Sequence, residues 1–117
     1  MRAELRRLHS PDALELRAWS PEDGESAILV QLMVGPEGGE GEESFDVTLC
    51  TAAWLAGRAS TEKIVDCRHH VVIADYDYDV VLRYFRERVA ACEGATWQEV
   101  AARVGRIGHW EFEDYSN

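Results

Sequence analysis

Asp75-Tyr76-Asp77-Tyr78-Asp79 places three carboxylates at alternate positions, which is how a calcium-binding loop begins. Such a loop also needs Gly at its sixth position for the sharp turn and a bidentate Glu at its twelfth. Those positions hold Val80 and Arg86. A strand-to-helix turn accounts for the same residues at less demand, with Asp79 as helix cap and Asp77 near the positive end of the helix. Cys67-Arg68-His69-His70, with Asp66 adjoining, gathers thiol, imidazole and carboxylate donors. Zinc asks for four ligands at spacings that close a tetrahedron. The rest of the chain offers only the isolated His9, His109, Cys50 and Cys92. For nucleophilic catalysis there is no Gly-x-Ser-x-Gly elbow, and Ser10, Ser20, Ser26, Ser44, Ser60 and Ser116 all lie beside turns or chain ends. The 22 carboxylates allow almost any acid–base pairing and single out none. No catalytic residue, metal ligand or cofactor site is assigned, and the expectation is a protein that is not an enzyme.

The same carboxylates say more as a charge distribution. Against 12 Lys and Arg they give a formal charge of −10 on 117 residues. That field repels nucleic acid and anionic membrane surfaces and favours a basic protein partner. Two acidic segments stand out. Residues 35–43 hold four Gly and four Glu (Glu37, Glu40, Glu42 and Glu43), which neither continues a strand nor forms a phosphate-binding loop. A long acidic hairpin loop is the reading. In Trp110-Glu111-Phe112-Glu113-Asp114-Tyr115, rings alternate with acids, so an extended backbone sets rings on one side and carboxylates on the other. The candidate partner-binding residues are Glu37, Glu40, Glu42, Glu43, Asp75, Asp77, Glu111, Glu113 and Asp114.

The elements that must position them read as one α+β domain over residues 1–117. A weak strand is predicted at residues 3–8, closed by the turn Ser10-Pro11-Asp12, and another strand at residues 14–19, closed by Ser20-Pro21-Glu22-Asp23-Gly24. Residues 28–34 are apolar on both alternating faces, as in a central strand covered on both sides. Residues 44–50 alternate, with Phe45, Val47 and Leu49 facing inward. Thr51 caps a short helix, residues 52–56, that stops at Gly57. Residues 58–68 read as connection, and residues 70–75 form a further strand. Leu82, Phe85, Val89 and Cys92 then share one helix face. Thr96-Trp97-Gln98-Glu99 has capping-box form and opens a second helix whose buried stripe is Trp97, Val100, Ala101 and Val104. The result is a largely antiparallel sheet of about five strands in the N-terminal two-thirds, with the short helix and two C-terminal helices packed on one face. The chain lacks a long apolar run, its first residues lack a signal peptide's apolar stretch, and its three scattered cysteines form no disulfide framework. These features predict a cytoplasmic protein.

Several stretches together resemble the immunity protein 8 family of bacterial polymorphic toxin systems. They are residues 3–12, Gln31-Leu32-Met33-Val34-Gly35-Pro36 running on through residues 41–47, Cys50-Thr51 with Trp54-Leu55, Arg68-His69-His70, Trp97-Gln98-Glu99-Val100-Ala101, and the Trp110 to Tyr115 end. The resemblance implies a small protein that binds and neutralises a cognate toxin, without catalysis or cofactor. Two departures are visible: Ala52-Ala53 where the family tends to Pro-Lys, and Cys67 where it tends to Gly before Arg-His-His. Two competing readings are a small-ligand or metal-binding regulatory domain centred on Cys67, His69, His70 and Asp75, and a hydrolase using an unrecognised carboxylate or histidine pair.

Overall fold

The computed structural model describes residues 1–21, 24 and 26–113. Its elements are β1 (Ala3–His9), β2 (Ala27–Pro36), β3 (Glu43–Thr51), α1 (Ala52–Glu62), β4 (His70–Ile73), α2 (Tyr78–Ala90), α3 (Trp97–Val104) and β5 (His109–Trp110). The five strands make one sheet in the order β1-β2-β3-β4, with β5 also on β3. Successive hairpins make β1, β2 and β3 antiparallel. The chain then crosses over through α1, so β4 returns parallel to β3. β5 pairs antiparallel with Phe45 and Asp46, so β4 and β5 share the outer side of β3.

Alternation builds the core. Ile28, Val30, Leu32 and Val34 of β2 and Phe45, Val47 and Leu49 of β3 point to one face. Val81, Phe85 and Val89 of α2 and Val100, Ala101 and Val104 of α3 close over it. The expected α+β architecture is thus present, with two C-terminal helices on one face of a mainly antiparallel sheet. The opposite face of β2 is not covered as predicted: Leu29, Gln31 and Met33 stay half-exposed, so β2 is buried on one side only. Apolar content alone does not say whether a second layer exists.

Other differences have local causes. Residues 14–19 are not a strand. Leu16–Ala18 form a single 3-10 turn, with the carbonyl of Leu16 held by the Tyr76 hydroxyl at 2.6 Å. The fifth strand is β5, from the far end of the chain. α1 runs through Gly57 to Glu62; the exposed i,i+4 pair Arg58–Glu62 offsets part of the glycine's propensity cost of about 1 kcal/mol. It ends at Lys63, whose φ is 72°. The residue that caps α2 is Asp77 rather than Asp79: its carboxylate accepts from the N–H of Asp79 and of Val80 at 3.0 and 3.2 Å. Asp79 turns instead to Arg17. The buried stripe of α2 is Val81, Phe85 and Val89, with Leu82 half-buried beside it. β4 stops at Ile73. At α3 the capping pair forms: Thr96 Oγ1 accepts from Glu99 N–H, while the Glu99 carboxylate reaches back to Ala95 N–H at 2.8 Å.

The tail departs most. Among its described residues only His109–Trp110 is strand; Glu113 N–H then donates to the Trp110 carbonyl at 2.9 Å and turns the chain. The predicted alternation of rings and acids is therefore lost after Trp110. Asp114 and Tyr115, like Glu22 and Asp23 of the earlier turn signal, lie outside the described residues. Among the described residues no helix is long and apolar enough to cross a membrane.

Candidate functional site

The hairpin between β2 and β3 is braced from the neighbouring strand. A register shift between Leu5 and Arg7 frees Arg6 from the pleat, and its guanidinium donates to the carbonyls of Pro36 and Gly39 at 2.7 and 2.6 Å. Gly35 makes this closure possible, since a Cβ there would stand 2.1 Å from the carbonyl oxygen of Gly41. Glu37 N–H donates to the Arg2 carbonyl at 2.8 Å. A loop that composition marks only as unable to form a strand is thus held at Pro36, Glu37 and Gly39, with Glu37 and Glu40 exposed on it.

The other candidate carboxylates divide by what they touch. Glu42 forms an ion pair with Arg7 at 2.9 Å. Glu43 is half-buried and accepts from two indoles, Trp97 Nε1 at 3.1 Å and Trp110 Nε1 at 2.5 Å. It ties α3 and β5 to the start of β3, so its work is structural. Glu113 accepts both arms of the Arg68 guanidinium, at 2.5 and 3.1 Å, with His109 at 3.8 Å. Glu111 is exposed beside it. Asp77 is consumed as the cap of α2, whereas Asp75 is exposed and has no ion pair among the described residues. Asp114 lies outside those residues.

The sheet register separates these groups. Glu43 pairs with Val34 at the hairpin, while Thr51, at the other end of β3, pairs with Ile73 just before Asp75. The length of β3, on the order of 26 Å at the usual rise per residue, stands between the two acidic ends. Glu37, Glu40 and Glu42 share the hairpin end, with Glu111 and Glu113 following β5 next to it. Asp75 and Asp77 are at the opposite end.

Of the residues with metal potential, both histidines are hydrogen-bonded to backbone carbonyls. His69, itself at a positive φ of 62°, donates from Nε2 to the Gly105 carbonyl at 2.6 Å. His70 Nδ1 donates to the Arg68 carbonyl at 3.0 Å. The left-handed position in this turn falls on His69, not on Cys67. Among the described residues no group of three or more His, Cys, Asp or Glu could hold a metal ion. Burial pushes the Cys50 and Cys92 thiols up, away from the thiolate that a nucleophile requires. Arg6 and Trp97 are the residues that sequence reasoning missed at this site. The only local signal for Arg6 was an arginine breaking the alternation of β1.

Nothing among curated proteins and nothing among solved structures matches the chain. The family described as Immunity protein 8 matches it over residues 3–115, a span that takes in the braced hairpin, the Glu43 clamp and both acidic ends. With nearly the whole chain covered, this protein belongs to the Immunity protein 8 family, the immunity proteins of toxin systems.

Proposed function

We propose that the chain neutralises its cognate toxin as a stoichiometric, non-catalytic inhibitor, and that the toxin surface it meets is basic, as the substrate groove of a nuclease is. The observation that carries this reading is the braced hairpin. Arg6 holds the loop in place, while Glu37 and Glu40 project from it on a chain of net charge −10. Fixed negative charge of that kind speeds encounter with a basic surface and costs little ordering entropy on binding. Glu42, Glu111 and Glu113 extend the same end, although Glu42 and Glu113 already share their charge with Arg7 and Arg68. Occlusion of the toxin's active site or of an adjacent exosite then follows from bulk alone.

The test is co-expression with the toxin encoded beside its gene. Rescue of growth and a 1:1 complex on gel filtration are expected; continued killing with no complex would remove the reading. Within a working pair, Glu37→Lys together with Glu40→Lys should slow association about tenfold at low salt and flatten its salt dependence. An unchanged on-rate would clear the hairpin of involvement.

A further inference from the structure

The outer edge of β4 carries the inference, which rests on the reading of the chain as a toxin inhibitor. β4 has β3 on one side, and among the described residues no strand pairs with its other side. Thr48 N–H donates to the His69 carbonyl at 2.9 Å. In a parallel ladder this turns residues 69, 71 and 73 toward β3 and residues 70 and 72 outward. Val72 thus presents its N–H and C=O to solvent, and the residue is 51% exposed. An open edge is a template for another chain, and proteins ordinarily guard it with charges, proline or a bulge. His70-Val71-Val72-Ile73 contains no Lys, Arg, Asp, Glu or Pro.

A groove of about 570 Å³ runs beside this edge, between β4 and α2. Val71, Ile73, Val80, Tyr84 and Phe85 line it, and Asp75 is the one Asp, Glu, Lys or Arg among its lining residues. Val80 and Tyr84 are 49% and 38% exposed; the Tyr84 ring packs edge-on against Phe85, and its hydroxyl accepts from Arg88 at 2.9 Å. Backbone groups in a row, an apolar trough alongside and a single carboxylate at the end are what an extended, apolar-and-basic peptide segment needs.

We propose that the edge of β4 receives an extended segment of the cognate toxin as an added strand, with apolar side chains in the β4–α2 groove and a Lys or Arg against Asp75. Main-chain hydrogen bonds to Val72 supply affinity, and the groove supplies specificity. Charge complementarity favours this occupant over a second copy, which would bring another −10 to the same edge.

The experiment titrates the intact protein with an inactivated form of the toxin encoded beside its gene, and follows amide hydrogen exchange in the free and bound states. Exchange at Val72 should slow at least about tenfold on binding, as a newly bonded amide does. Val72→Pro removes an outward N–H without touching the ladder to β3, and should weaken binding at least about thirtyfold. Val80→Glu, on an exposed helix position, should weaken it about tenfold with an unchanged melting temperature. Unaltered Val72 exchange, or a Val80→Glu protein that binds like wild type, overturns the added strand while leaving the inhibitor reading intact. Failure of the wild-type protein to bind that toxin defeats the inhibitor reading itself. A wild-type dimer in sedimentation that Val72→Pro converts to monomer would assign the edge to a second copy and equally overturn the proposal.

Discussion

Two outer strands of the sheet, β1 and β4, are treated in opposite ways. β1 carries exposed Glu4, Arg6 and Arg7 and a break in register, and each arginine is spent on a specific partner: Arg6 on the hairpin carbonyls, Arg7 on Glu42. Just before β1, Arg2 reaches Glu93 at 2.5 Å and fixes the chain's approach to the sheet. β4 has no charge, no bulge and an exposed valine beside an apolar groove. Both edges reach the core on their inner face, through Ala3 and Leu8 of β1 and Val71 and Ile73 of β4, so the contrast lies in their outer sides. This difference is what the proposed added strand at β4 would explain. The acidic hairpin and the open edge are separate features, about a strand length apart.

The comparison breaks most severely if the floor shared by groove and core is removed. Phe85→Ala should cost about 3–5 kcal/mol in urea unfolding, since the ring is fully buried beneath both. A loss below 1 kcal/mol would show that the groove is not a continuation of the core. Next, Glu43→Ala should cost about 2 kcal/mol, because it strips the shared acceptor from two half-buried indole N–H groups. Tryptophan fluorescence should shift with it, and an unchanged spectrum with unchanged stability would refute the clamp.

Exchanging the guard sharpens the contrast. Val72→Lys places on β4 the kind of charge that β1 already carries, and should change stability by less than about 0.5 kcal/mol, as surface substitutions do. Under the proposal its loss appears in toxin binding alone. The smallest effect concerns pH at the guarded edge. Hydrogen bonding and charge from Arg2 hold the Glu93 carboxyl below its usual 4.5. A depressed carboxyl contributes stability above its unfolded value and loses it as pH falls through the folded one. The gap in melting temperature between wild type and Glu93→Gln should therefore be present at neutral pH and close below pH 4.5. A gap that persists in acid would show that the pair does not titrate as the contact implies.

What could be read in the sequence had a local cause. Alternation in β3, the Thr96 capping pair of α3 and the recurrence of Phe85 and Val89 each depend on neighbours within a turn or two, and each appears as expected. So does the family, because its stretches are strung along the whole chain. The wrongly placed features share another cause. Residues 14–19 have strand composition but do not join the sheet, and among the described residues of the tail only His109 and Trp110 find strand partners, in Asp46 and Phe45. Glu43 resembled its neighbours in an acidic run until the chain brought Trp97 and Trp110 to it from 54 and 67 residues away. The amino-acid order by itself set the charge, the periodicities and the caps, since these depend only on composition and short-range geometry. Which carboxylates stay available, which face of β2 stays uncovered and which edge stays open were decided only in three dimensions, because each depends on which distant segments arrive to pair, cover or neutralise them.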